Sequence, residues 1–100
     1  MENLLIQAIL DEDVIAVTEL LRQGANPNIF EDTDKIRPLH FVAQKDSVEA
    51  LEIARLLMHA GADPLAQTEP DGQTPLEVAE LMSSADMVAI LSGVGAETRH

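Results

Sequence analysis

Three histidines, a serine pair and two short acidic runs are the residues of this chain best suited to chemistry. His40, His59 and His100 are the candidate bases or metal ligands. No two of them have a helical spacing such as His-x-x-x-His, so a metal site is not expected. His40 follows an X-Pro-Leu step and reads as a structural residue at a helix start. His59 falls near a helix end, where a partly charged imidazole favours the dipole, and His100 is a tail residue. Ser83-Ser84 reads as a helix break, with no Gly-x-Ser-x-Gly elbow around it. Glu31-Asp32-Thr33-Asp34 lacks the glycine and distal glutamate of a calcium loop. Asp11-Glu12-Asp13 reads as a turn between helices, with Asp13 capping the second. The glycines form no phosphate-cradling loop. No constellation supplies nucleophile, base and oxyanion donor together, so neither enzyme activity nor a cofactor is expected.

The elements behind these residues follow from composition. The chain has 100 residues, enough for one domain, and 46% of them are apolar. Alanine and leucine dominate, and Phe30 and Phe41 are the only aromatics, a mix that favours closely packed helices. Eighteen acidic and six basic residues give a formal charge of −12. Binding to nucleic-acid phosphates or anionic lipid is therefore not expected. A basic protein partner is compatible with the charge, and so is a role in solubility alone. Absence of cysteine excludes disulfides, thiolate metal sites and a cysteine nucleophile. "MENLLIQAIL" has no basic leader region, and no apolar stretch is long enough to cross a bilayer, so a cytoplasmic location is the expectation.

The chain also repeats itself. "GANP" at Gly24–Pro27 returns as "GADP" at Gly61–Pro64, and "RPLH" at Arg37–His40 returns as "TPLE" at Thr74–Glu77, each 37 residues later. A fixed period of this size signals stacked units. In each, an X-Pro-Leu step opens a helix, a polar break follows, and a second helix ends at glycine. Leu39, Val42 and Ala43 mark one face of a first helix, as do Leu76 and Ala79. Leu51, Ala54, Leu57 and Met58 mark a second helix, as do Met87, Val88 and Leu91. An earlier copy without the proline opening uses Leu5, Ala8 and Ile9, then Val14, Val17 and Leu21, and closes at Gly24.

These phrases resemble the ankyrin-repeat family. "PLHFVA" and "TPLEVA" open helix pairs, "TELLRQGANPN" and "ARLLMHAGADP" close them, and "PDGQTPL" links units. The resemblance implies an all-α solenoid of three helix-turn-helix units joined by β-turn fingers. The ankyrin-repeat domain is expected over 1–93, with units at about 3–30, 31–67 and 68–93 and a tail at 94–100. The first unit runs 19 steps from Leu5 to Gly24, and the middle unit 22 from Leu39 to Gly61. The three extra residues lengthen either the second helix near Asp46–Glu52 or the loop before it.

The family's threonine and histidine never occur together here: His40 has Arg37 where threonine is usual, and Thr74 has Glu77 where histidine is usual. Thr74-Pro75-Leu76-Glu77 still reads as a capping box, so unit 3 is expected to start firmly and unit 2 more loosely. Asp71-Gly72 is a good tight-turn pair, whereas Asp34-Lys35 fills the matching place in the earlier finger, so Glu31–Arg37 is expected to be irregular or mobile. Glu80 stands where the family prefers alanine, which suggests a three-unit protein with nothing stacked beyond it.

The resemblance implies that finger tips and first-helix surfaces hold a protein partner. Carried onto this chain, its contact positions are Thr33, Asp34 and Ile36 in the first finger and Pro70, Asp71 and Gln73 in the second. Along the first helices they are Leu10 and Asp11, Gln44 and Lys45, and Leu81 and Met82. Leu10, Ile36, Leu81 and Met82 are apolar there, and form either a binding patch or a cover for the chain's own ends. Phe30 either pins the finger to the core or anchors a partner. The expected function is a non-enzymatic module that binds a protein, basic if the acidity serves recognition, as an inhibitor or immunity-type protein. Self-association of a structural module, as a weak homodimer in place of a monomer, is one alternative. An acidic mimic of nucleic acid is the other.

Overall fold

A computed structural model of the chain describes residues 4–30, 36–69, 71–82 and 85–92. Those residues form six helices and no strand: α1 (Leu4–Leu10), α2 (Val14–Arg22), α3 (Pro38–Ala43), α4 (Val48–His59), α5 (Pro75–Leu81) and α6 (Ala85–Ser92). They pair as α1·α2, α3·α4 and α5·α6. The pairs stack in order, with α1, α3 and α5 forming one row and α2, α4 and α6 the other. The three-unit helical stack implied by the sequence is the architecture found.

The units share one register. Each second helix begins nine residues after its unit's leucine: Leu5 to Val14, Leu39 to Val48, Leu76 to Ala85. The interval is thus constant, and the three extra residues of the middle unit lie in α4, with 12 residues against 9 in α2. Asp13 caps α2 by accepting from Ala16 N–H at 3.1 Å, and Ser47 caps α4 by accepting from Ala50 N–H at 3.0 Å. Each cap satisfies one otherwise orphaned amide.

Both closing glycines complete the same motif. Gly24 (φ 96°) and Gly61 (φ 103°) take the left-handed conformation that a side chain would strain. The amide after each then returns to the helix: Ala25 N–H to Leu20 C=O at 3.0 Å, and Ala62 N–H to Leu57 C=O at 2.9 Å. Together with the Gly24–Leu21 and Gly61–Met58 bonds, these are Schellman closures.

One continuous core results. Leu5, Ala8, Ile9, Val17, Leu39, Val42, Ala43, Leu57, Ala79, Met87 and Leu91 are buried as their spacing implies. In α4 the buried face is Ala50, Ile53, Ala54 and Leu57, one step round from the sequence expectation, and Leu51 and Met58 lie half-buried on its flanks. Small alanines there let the rows approach closely.

The two proline-led helices start differently. At α5, Thr74 Oγ1 accepts from Glu77 N–H at 3.1 Å and Glu77 Oε1 accepts from Thr74 N–H at 3.0 Å, the complete box. At α3 only the return half exists, because a guanidinium has no lone pair to offer an amide. The His40 N–H turns instead to the Arg37 carbonyl at 2.9 Å, which stretches the competing Phe41 N–H bond to 3.3 Å. The corresponding Val78–Thr74 bond in α5 is 3.0 Å.

Candidate binding surface

The sequence-derived contact positions divide between two edges of the stack, separated by a first-helix length of about 10 Å. Leu10, Asp11, Gln44, Lys45, Leu81 and Met82 lie at the helix-turn edge, where first helices end. Ile36, Asp71 and Gln73 lie at the finger edge, where they begin. Thr33, Asp34 and Pro70 lie outside the described residues, as does most of the Glu31–Arg37 finger.

At the helix-turn edge, Leu81 is 72% exposed, Met82 55% and Leu10 46%, while Asp11 and Gln44 are also exposed. Lys45 is not a free contact group: its Nζ lies 3.4 Å from Glu12 Oε2. The other Glu12 oxygen accepts from the Ser47 hydroxyl at 2.6 Å. Glu12 thereby ties the turn of unit 1 to the turn of unit 2. It does so with φ 55°, a left-handed conformation unusual for a residue with a side chain. The Ser47 hydroxyl lowers the Glu12 pKa and Lys45 adds to this, against a smaller opposing effect of burial. The sequence reading recognised Asp13 as the cap but missed Glu12, since no local spacing marks a bond across 35 residues.

The finger edge is organised by His40. Its Nδ1 accepts from Arg37 N–H at 3.0 Å, which makes Nε2 the protonated nitrogen, and Nε2–H donates to Gln73 C=O at 2.9 Å. Burial lowers its pKa, outweighing the hydrogen bonds to the Gln73 and Ala66 carbonyls, so the imidazole is held neutral. Gln73, offered by the sequence as a partner contact, is half-buried and uses its backbone to close the finger. Its carbonyl also accepts from Thr68 N–H at 3.0 Å, and its N–H donates to Thr68 Oγ1 at 3.1 Å. Gly72 (φ 69°) makes the turn that Asp71-Gly72 implies. Ile36 is half-buried and Asp71 exposed.

Arg37 and Phe30 form a second local arrangement. The guanidinium carbon stands 4.9 Å from the ring centroid, a cation–π contact that holds Phe30 at the finger base. Phe30 remains 41% exposed. Arg37 Nε is buried without a hydrogen-bond partner. Between the loops after α2 and α4, Asn28 makes a two-point bridge. Its Nδ2 donates to Gly61 C=O at 3.1 Å and its Oδ1 accepts from Asp63 N–H at 2.7 Å. Leu65, Asn28's counterpart in unit 2, is 64% exposed.

Among the described residues, no group of three or more His, Asp or Glu side chains is placed to hold a metal ion. No described helix is long and apolar enough to cross a membrane.

The arrangement agrees with what the chain is similar to. The family profile for ankyrin repeats in three copies matches residues 5–100. The chain is 36% identical over 85 residues to the human 2-5A-dependent ribonuclease, covering 85% of the chain and 11% of that protein. It is 38% identical over 78 residues to the mouse 2-5A-dependent ribonuclease, covering 78% of the chain and 10% of that protein. The chain therefore spans about a tenth of the length of these relatives. Among solved structures, the human ASB11 ankyrin repeat domain superposes with a TM-score of 0.79 at 26% identity. The match covers 94% of the chain and 40% of that domain.

Proposed function

Because the chain belongs to the ankyrin-repeat family, whose repeats are generally protein–protein interaction modules, we propose that it is a non-enzymatic binder of a protein partner. The observation that carries this reading is the exposure of Leu10, Leu81 and Met82 at the ends of first helices from two different units. Solvating three such side chains stabilises nothing in the isolated chain, whereas covering them on binding removes apolar area from water. His40, the one buried polar side chain among the described residues, supports the non-enzymatic part. Both its ring nitrogens are engaged by backbone groups, so neither is available to a substrate.

The partner is a basic protein, attracted by a surface in which Asp11 and Asp71 stand exposed on a chain of charge −12. An inhibitor that occludes a basic enzyme or toxin is the use this charge suits best. The test is capture of partners at low and high salt by the unaltered chain and by a Leu81→Glu/Met82→Glu variant. The reading expects one protein to be retained at low salt, weakened by salt and lost in the variant without loss of helicity. A bound set that salt and the variant both leave unchanged rejects it.

A further inference from the structure

The exposed apolar surface continues past the first helices onto the starts of the second ones. Ile15 is 81% exposed and Val48 77%, the highest values of any large apolar side chain among the described residues. Ile15 lies in the first turn of α2 and Val48 is the first residue of α4. Neither serves as a cap, since Asp13 and Ser47 do that work. The Glu12–Ser47 bond of 2.6 Å joins the turn before Ile15 to the residue before Val48. With Leu10, Leu81 and Met82, all three units thus contribute apolar groups to the helix-turn edge.

The charge at this edge has one sign. Asp11, Asp46, Glu49, Glu80 and Asp86 are exposed within a turn of the apolar residues. Lys45 is the edge's cation among the described residues, and Glu12 holds it at 3.4 Å. Arg22 and His59 stand in the last turns of α2 and α4, at the far end of those helices. Arg55 pairs with Glu52 at 3.6 Å within α4, and Arg37 lies on Phe30 at the finger base. The complement of such an edge is an apolar stripe bordered by cations.

Spacing selects the form of that complement. Stacked helices repeat every 8–10 Å, while seven residues of an α-helix advance about 10.5 Å. Apolar residues seven apart on one helix therefore meet successive units of the stack. A β-strand reaches the same distance in about three residues, which puts alternate contacts on opposite faces. We infer that the helix-turn edge docks a basic amphipathic helix of the partner, its apolar stripe meeting one exposed apolar residue of each unit, Ile15, Val48 and Met82. The inference rests on the protein-binding reading and adds the chemistry of the partner and the second-helix starts to its surface. The same carboxylates repel anionic lipid, which sets a membrane surface aside.

The probe is a synthetic helical peptide with leucine at every seventh position and flanking lysines, its binding followed by fluorescence anisotropy. A peptide of the same composition in scrambled order is the control. The patterned peptide is expected to bind at least about tenfold more tightly than the scrambled one. An Ile15→Ser/Val48→Ser variant, whose changes fall at exposed positions, is expected to lose about tenfold with unaltered circular dichroism. A Leu65→Ser variant, at an exposed apolar position in the loop after α4 and away from this edge, is expected to bind the peptide unchanged. Equal binding of the two peptides, or full binding by the Ile15/Val48 variant, overturns the inference. If the patterned peptide does not bind while the Leu81/Met82 variant still loses its captured protein, the inference fails and the protein-binding reading stands. A dimer dissolved by the Ile15/Val48 changes, with no peptide bound, assigns the edge to a second copy of the chain and also overturns it.

Discussion

The imidazole of His40 spans two units, accepting from Arg37 N–H at the start of α3 and donating to Gln73 C=O in the following finger at 2.9 Å. The bond from Arg37 requires a neutral ring, because a protonated Nδ1 would set one N–H against another.

Stability is therefore expected to depend on the protonation of His40. Its folded pKa lies below its ordinary value of 6.5. The unfolded chain thus takes up the proton first, and this contribution to stability is complete above about pH 6.5 and falls as pH decreases toward the folded pKa. Denaturant midpoints measured between about pH 7.5 and 5.5 should decline in the unaltered chain and flatten in His40→Gln. Glu12 acts in a separate, lower window: its pKa is lowered from 4.5, so its contribution holds above that value and is lost on further acidification.

Arg37→Thr is expected to raise stability by about 1–3 kcal/mol. A threonine cap adds roughly 1 kcal/mol, and removing the buried, unpartnered Nε relieves roughly 1–3 kcal/mol. Loss of the contact with Phe30 costs roughly 0.5–1 kcal/mol. Gains outweigh the loss, and the thermal midpoint should rise. Phe30 should become more accessible to quenchers in the same variant.

Glu12 separates backbone strain from side-chain bonding. Glu12→Ala loses the bonds to Ser47 and Lys45 and keeps the left-handed backbone, while Glu12→Gly loses the same bonds without the strain. The glycine variant should be the more stable of the two by about 1 kcal/mol. A double-mutant cycle of Glu12→Ala with Ser47→Ala should return a coupling of roughly 1 kcal/mol.

Asn28→Ala removes both bonds to the next loop and should cost about 1–2 kcal/mol. Asn28→Asp keeps the acceptor for Asp63 N–H but turns a carboxylate oxygen toward the Gly61 carbonyl, so it should be no better than alanine. Amide exchange at Asp63 is the local readout: it should quicken in the alanine variant more than exchange in the body of α4.

The fold was legible because its signals are local. Proline at helix starts, glycine at helix ends and leucines at spacings of three and four all act within one turn of chain. The capping box at Thr74 and the Gly72 turn were readable for the same reason. The bonds between units were not readable. Glu12 to Ser47, Asn28 to Asp63 and His40 to Gln73 each cross at least 33 residues and involve residue types common in any turn. Lys45 shows the consequence for the site: its position in the sequence suggested a contact, while its charge is engaged by Glu12. Ile15 and Val48 escaped notice because apolar residues in a helical first turn look like core until their exposure is measured.

The added turn of α4 has an effect on how such a chain can change. Every unit keeps the same nine-residue interval from its leucine to its second helix, so the surplus falls at the end of α4 and leaves the Glu12–Ser47 junction in place. Growth in the row of second helices is thus uncoupled from the alignment of the row of first helices. A stack organised this way can gain or shed a turn on its back without re-keying the edge at which successive units meet.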